Sequence, residues 1–225
     1  LAWNADHPGT QPDVWRATTD VQHQARESWD MRAHSSPQHV AIAPHQPHLP
    51  LHAFQFNGAS LMMHKFFHVS DPNAPVPDND HSASFEFWIR LDSLQKPHMI
   101  FETGRDDAGL SVTVGDADRD GEHDDLRFRA VGDDEQFIVL TTKLDLFADP
   151  TRDFVQLVAV FSDADTDRYA ELYVNGALCG RVDAVDGEAG RINWDNWGRA
   201  GLGRTAEKMG GNSGEGDLPF SGGFS

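Results

Sequence analysis

The sequence predicts an all-β fold, a jelly-roll β-sandwich of two antiparallel sheets with an irregular N-terminal arm. Three observations predict it. From Phe54 onward, short runs of alternating apolar and polar residues follow one another, separated by Gly, Asp, Asn and Pro. No stretch of useful length repeats its apolar residues at helical spacing. Asn175-Gly176, the strongest dipeptide for a two-residue hairpin turn, lies between two such runs. The length of 225 residues suits one domain plus an arm, and 39% hydrophobic residues suffice for a sizeable core, which excludes general disorder.

The elements follow in order. Residues 14–31 are polar with scattered Trp and read as a short helix or an irregular wrap. Residues 35–50 (SSPQHVAIAPHQPHLP) carry four prolines and cannot form a long helix, so they read as an extended arm lying on the body. The arm and first strand occupy 1–53, and the sandwich proper 54–225. Within it, Ser84–Arg90 alternates: Phe85, Phe87 and Ile89 share one face, Glu86, Trp88 and Arg90 the other. Residues 99–102 make a short strand. Residues 110–114 and 126–131 flank an acidic loop as a hairpin, and 136–142 form another strand. FVQLVAVF (154–161) is the most apolar run and belongs in the interior of a sheet. Residues 169–174 and 178–182 flank the Asn175-Gly176 turn.

Charge excludes several partners. With 36 acidic against 18 basic side chains, the net charge is −18, and no Lys/Arg cluster offsets it, so nucleic acid is excluded. No apolar run approaches the roughly 18 residues of a membrane span. Cys179 is the single cysteine, which rules out an internal disulfide and a multi-thiolate metal site. A chain that opens at Leu1, with neither methionine nor signal peptide, reads as a mature product or an excised segment. The acids are 27 Asp and 9 Glu, an excess that points to turns and hard-cation sites; an acidic surface selected for salty surroundings is the competing reading.

Several segments taken together carry a resemblance. They are FQFNGAS (54–60), SFEFWIRLDSL (84–94), IFETG (100–104), GLSVTVGDADRDGEHDDLRFRA (109–130), DFVQLVAVFSD (153–163), AELYVNGALCG (170–180), AGLGR (200–204) and GGNSG…FSGGFS (210–225). This pattern resembles the laminin-G-like/pentraxin domains of the concanavalin A-like superfamily found in bacterial secreted and surface proteins. The resemblance implies an extracellular or cell-surface setting. It also implies that FSG is followed by a last strand that lies beside the first and closes a sheet; here that strand is expected to be missing, unobserved or supplied by another molecule.

The sharpest local motif is DADRDGEHDD (116–125). Asp116, Asp118 and Asp120 stand at relative positions 1, 3 and 5, with Gly121 at 6. That is the opening of an EF-hand-type Ca²⁺ loop, in which alternating carboxylates converge and glycine permits the bend. Glu122 would offer its carbonyl at position 7, and Asp124 stands at 9. Arg127 occupies position 12, where a bidentate Glu would sit, so Asp124 or Asp125 must substitute. Five Asp within ten residues repel one another without a cation. The alternative is a solvated, metal-free hairpin tip. A second, weaker acidic tip holds Asp163, Asp165 and Asp167 without the glycine. Asp106 and Asp107 occupy another turn.

Other constellations are weaker. His64 and His68 would stand about 13 Å apart on a strand, too far for one zinc. His45, His48 and His52 read as solvent-facing. Trp194 and Trp197 (WDNW) are the candidate sugar-stacking pair, with burial at the rim as the alternative. A glycosidase of this superfamily places two carboxylates about 5 Å apart on one strand face, and neither that pattern nor a G-x-S-x-G elbow is present. The function expected is therefore a non-catalytic, calcium-stabilised extracellular recognition or adhesion module that binds glycan or protein. The alternative is a structural subunit of a surface filament, sheath or layer, self-associating through strand or arm exchange; a glycan-active hydrolase stands third.

Overall fold

The computed structural model describes residues 14–15, 31–35, 38–41, 52–57, 61–65, 82–105, 108–131, 137–144, 149–164, 167–183, 199–203 and 221–224. Every regular element among them is a strand. The first five are β1 (Val14–Trp15), β2 (Met31–Ser35), β3 (Gln38–Ala41), β4 (His52–Asn57) and β5 (Leu61–Lys65). Next come β6 (Ala83–Leu91), β7 (His98–Arg105), β8 (Ala108–Gly115), β9 (Asp125–Val131) and β10 (Phe137–Lys143). The last are β11 (Val155–Ala164), β12 (Asp167–Val174), β13 (Ala177–Asp183), β14 (Arg199–Leu202) and β15 (Ser221–Phe224).

They form two sheets, every pairing antiparallel. One has the order β1-β2-β5-β14-β7-β8-β9-β10, the other β13-β12-β11-β6-β15-β4-β3. The expected jelly-roll sandwich is thus the observed one. The N-terminal segment joins the body through paired strands: β1 and β2 extend the eight-stranded sheet, and β3 pairs with β4 at the edge of the other.

The core lies between the sheets. Alternation on β6 puts Ile89 and Leu91 in it at 0% exposure, with Phe87 beside them, while Glu86 points outward. On β8 and β9 the inward set is Leu110, Val112, Val114, Leu126, Phe128 and Ala130. Burying each large side chain of this kind is worth about 1.5–3 kcal/mol. Phe101 of β7 crosses to the opposite sheet, its ring centroid 4.7 Å from that of Phe85 and 5.4 Å from that of Phe87. Gly180 of β13 admits Leu140 of β10, because a Cβ there would stand 2.8 Å from Leu140 Cδ1.

The FVQLVAVF run becomes β11, paired on both sides by β6 and β12. Asn175 and Gly176 turn between β12 and β13 with φ of 49° and 78°, the left-handed pair that a type I′ hairpin demands. Ser221–Phe224 are inserted between β4 and β6. They meet β6 only at Ile89, Arg90 and Leu91.

Candidate functional site

Two features of the eight-stranded sheet carry chemistry: the loop joining β8 to β9, and the sheet's outward face.

The loop is built on short-range hydrogen bonds from carboxylates to backbone amides, the habit of Asp in turns. Gly121 N–H donates to Asp116 Oδ2 (3.1 Å), Asp120 N–H to Asp118 Oδ1 (3.2 Å), and Glu122 N–H to Asp120 Oδ1 (2.9 Å). Asp125, at the start of β9, reaches back: its Oδ2 accepts from Ala117 N–H (2.6 Å) and Asp118 N–H (3.1 Å). Arg119 and Gly121 take positive φ, 62° and 94°, and the chain thereby turns twice in three residues. This winding brings one carboxylate oxygen each from Asp116, Asp118 and Asp120 within 4.8 Å of one another, a group that could hold a metal ion. Asp116 Oδ1 is buried and has no hydrogen-bond partner. Glu122 is exposed, and Asp124 and Asp125 are buried.

The charge problem posed by five aspartates has an answer that sequence reasoning missed. Lys143, the last residue of β10, pairs across the strands with Asp125. Its Nζ lies 2.6 Å from Asp124 Oδ1, 3.0 Å from Asp118 Oδ2, 3.2 Å from Asp120 Oδ2 and 3.6 Å from Asp125 Oδ1. These carboxylates, Asp124 foremost, hold the ammonium well above the ordinary lysine range. The Glu122 amide, then Lys143, hold Asp120 below the usual carboxylate range. The signal was the register of β9 on β10, which puts position 143 opposite 125; no spacing rule reports it.

The outward face of the same sheet is polar. Leu110, Val112 and Val114 point into the core, so Ser111 and Thr113 point away from it; by the same alternation, so do Arg127 and Arg129. Register aligns them in rows: Gly201, Glu102, Ser111 and Arg129 in one, Thr113, Arg127 and Thr141 in the next. Glu102, Ser111 and Thr113 are nonetheless buried, at 1%, 2% and 5% exposure. Glu102, Arg127 and Arg129 each interact with other groups of the protein.

The second acidic tip falls at the β11–β12 hairpin, where Asp163 pairs in register with Arg168 and Ala164 with Asp167. Asp165, Asp106, Asp107, Trp194, Trp197, His45, His48 and His68 lie outside the described residues. His64 sits on β5, opposite Ala200 of β14. Cys179 is half-buried against the core, and burial pushes its thiol up, away from nucleophilic thiolate character. No helix of the described residues is long and apolar enough to cross a membrane.

Two antiparallel sheets with a loop-bearing end and a polar sheet face define a lectin-like β-sandwich. The chain belongs to the concanavalin A-like lectin/glucanases superfamily: a laminin-G-like family model matches residues 67–222. No curated protein matches the sequence. Among solved structures, it is similar to the binding domain of botulinum neurotoxin serotype D, with a TM-score of 0.53 and 11% identity. That likeness covers 87% of this chain and 43% of the toxin domain. It is also similar to NanB, solved with Optactamide, at TM-score 0.51 and 15% identity over 76% of this chain and 24% of the other. A looser likeness, TM-score 0.46 at 14% identity, joins it to the CBM40 of Ruminococcus gnavus IT-sialidase over 63% of this chain and 71% of that one. At such identities the likeness is one of fold.

Proposed function

We propose that the chain is a non-catalytic, calcium-stabilised recognition module that works outside the cell and binds glycan. The observation that carries the glycan reading is the polar strip on the outward face of the eight-stranded sheet. Arg127 and Arg129, half-buried, and the exposed Thr141 are held there by paired strands, beside the buried Glu102, Ser111 and Thr113. Charged and hydroxyl side chains fixed on rigid strands are what a hydroxyl-rich ligand requires for oriented hydrogen bonds. Membership of a lectin/glucanases superfamily supports the same ligand class. Trp194 and Trp197 are assigned to stacking on the apolar faces of sugar rings.

The non-catalytic half of the proposal rests on Glu102. Hydrolysis of a glycosidic bond needs a second carboxylate about 5 Å or more across the scissile bond. The cross-strand neighbours of Glu102 are Ser111 and Gly201, neither of them an acid.

Calcium is assigned to the β8–β9 loop because its donors are all hard oxygens and three of them converge. Asp116 Oδ1, buried and without a hydrogen-bond partner, is an oxygen that a cation would satisfy. Such an ion would fix the loop at the rim of the sandwich.

A glycan array spanning neutral and acidic oligosaccharides tests the function, read in Ca²⁺ and in EDTA. The unmodified chain is expected to retain at least one glycan class, and Arg129→Ala and Trp194→Ala to lose it. Retention of no glycan by the unmodified chain, or turnover of one, overturns the reading.

A further inference from the structure

The acidic loop already contains a cation, and the cation belongs to the protein. Lys143 reaches in from β10, a strand outside the loop, and places its Nζ 2.6–3.2 Å from oxygens of Asp124, Asp118 and Asp120. An ammonium and a hard divalent ion ask for the same thing: several anionic oxygens converging on one point. They cannot share it. Of the three carboxylates that could hold a metal together, Asp118 and Asp120 are the two the ammonium touches. Asp116 is left with one oxygen buried and without a hydrogen-bond partner. The ammonium thus fills part of the cation's place and leaves Asp116 Oδ1 without a partner.

We propose that Lys143 is a tethered competitor of the divalent ion: its ammonium holds the loop closed when calcium is scarce and must swing out for calcium to enter. The proposal rests on the calcium reading of this loop and adds its regulation. The exchange is mechanically simple. The lysine side chain is 26% exposed, and four rotatable carbons can carry its strongly hydrated head into water. Two properties follow. The loop stays folded without metal, because the ammonium offsets part of the aspartates' mutual repulsion and bridges four of the five. The affinity for calcium is lowered by the work of expelling a resident charge, which places the response at high calcium concentrations, of the order met by extracellular modules, about 10⁻⁴–10⁻³ M.

Calorimetric titration of Ca²⁺ into the unmodified chain, Lys143→Gln and Asp116→Asn tests this. Lys143→Gln is expected to bind calcium at least about tenfold more tightly, because removing a positive charge raises the site's net ligand charge. Asp116→Asn, which alters no contact of the ammonium, is expected to bind more weakly than the unmodified chain. Equal affinities for the unmodified chain and Lys143→Gln overturn the competition and leave the calcium site standing. Absence of calcium binding in both overturns the calcium reading and the competition with it. A second measurement needs no variant: amine acylation of the unmodified chain, read by mass spectrometry at Lys143. Labelling is expected to speed up severalfold when EDTA is replaced by millimolar Ca²⁺. An unchanged labelling rate in calcium-saturated protein overturns the proposal even if Lys143→Gln fails to fold.

Discussion

Asp125 joins the β8–β9 loop to the sheet, and its replacement by alanine is the sharpest test of how that loop is held. Its side chain is 5% exposed and keeps two backbone amides, those of Ala117 and Asp118, on one oxygen. Its other oxygen faces Lys143 Nζ at 3.6 Å. A hydrogen bond to a charged group contributes about 1.5–3 kcal/mol. The two amides belong to exposed residues, and water can reach them once the carboxylate is gone, so the low end of that range applies to each. The expected loss for Asp125→Ala is therefore about 3 kcal/mol, or roughly 6–12 °C in Tm for a domain of this size. Asp125→Asn keeps the shape and one neutral acceptor and should lose about half as much. The assay is urea denaturation followed by tryptophan fluorescence, in EDTA, so that no metal contributes. A midpoint for Asp125→Ala equivalent to less than about 0.5 kcal/mol from the unmodified chain would refute the reasoning, because it would mean the loop is not anchored by this carboxylate.

Two further predictions concern the body of the sandwich. His98 is fully buried with Nε2 2.7 Å from the Ser93 carbonyl oxygen, and burial holds its imidazole below the ordinary value. The unfolded histidine takes up a proton as pH falls through about 6.5 while the folded one resists, so stability declines below that pH, by at most about 1.4 kcal/mol per unit. His98→Gln should flatten the Tm profile between pH 5 and 7; an identical slope in that variant would place the acid sensitivity elsewhere. Gly180→Ala should destabilise by about 1–2 kcal/mol, since the overlap with Leu140 outweighs the gain of up to about 1 kcal/mol from a less flexible unfolded chain. Combining it with Leu140→Val should recover part of the loss, and strictly additive effects in chemical denaturation would show that the two side chains do not meet.

Much of this architecture is legible in the residues one after another. Period-two alternation at Phe85, Phe87 and Ile89 marks the inward face of β6, and Asn175-Gly176 marks the β12–β13 hairpin, because both signals are carried by neighbouring residues. The Asp-x-Asp-x-Asp-Gly spacing likewise foretells a tight turn with converging carboxylates, and Arg119 and Gly121 adopt the left-handed conformations such a turn needs. Within the N-terminal segment, Met31–Ser35 and Gln38–Ala41 pair in opposite sheets, which no local pattern announces. Short strands rich in His, Ser and Gln carry too little alternation to be seen locally, and they become strands only because existing strands offer them hydrogen bonds.

What the sequence determines by itself is therefore local: the periodicity of the strands, the identity of the turn residues, the composition of the core and the acid-rich loop. What the tertiary structure decides is which distant residues meet. Lys143 opposite Asp125, Glu102 in one row with Ser111 and Arg129, and Leu140 against Gly180 all depend on register and on the distance between sheets. Register is set by the packing of whole strands, since a slip of one residue would turn every inward side chain outward. That packing is a property of the assembled sandwich, and so the partner of the aspartates is visible only there.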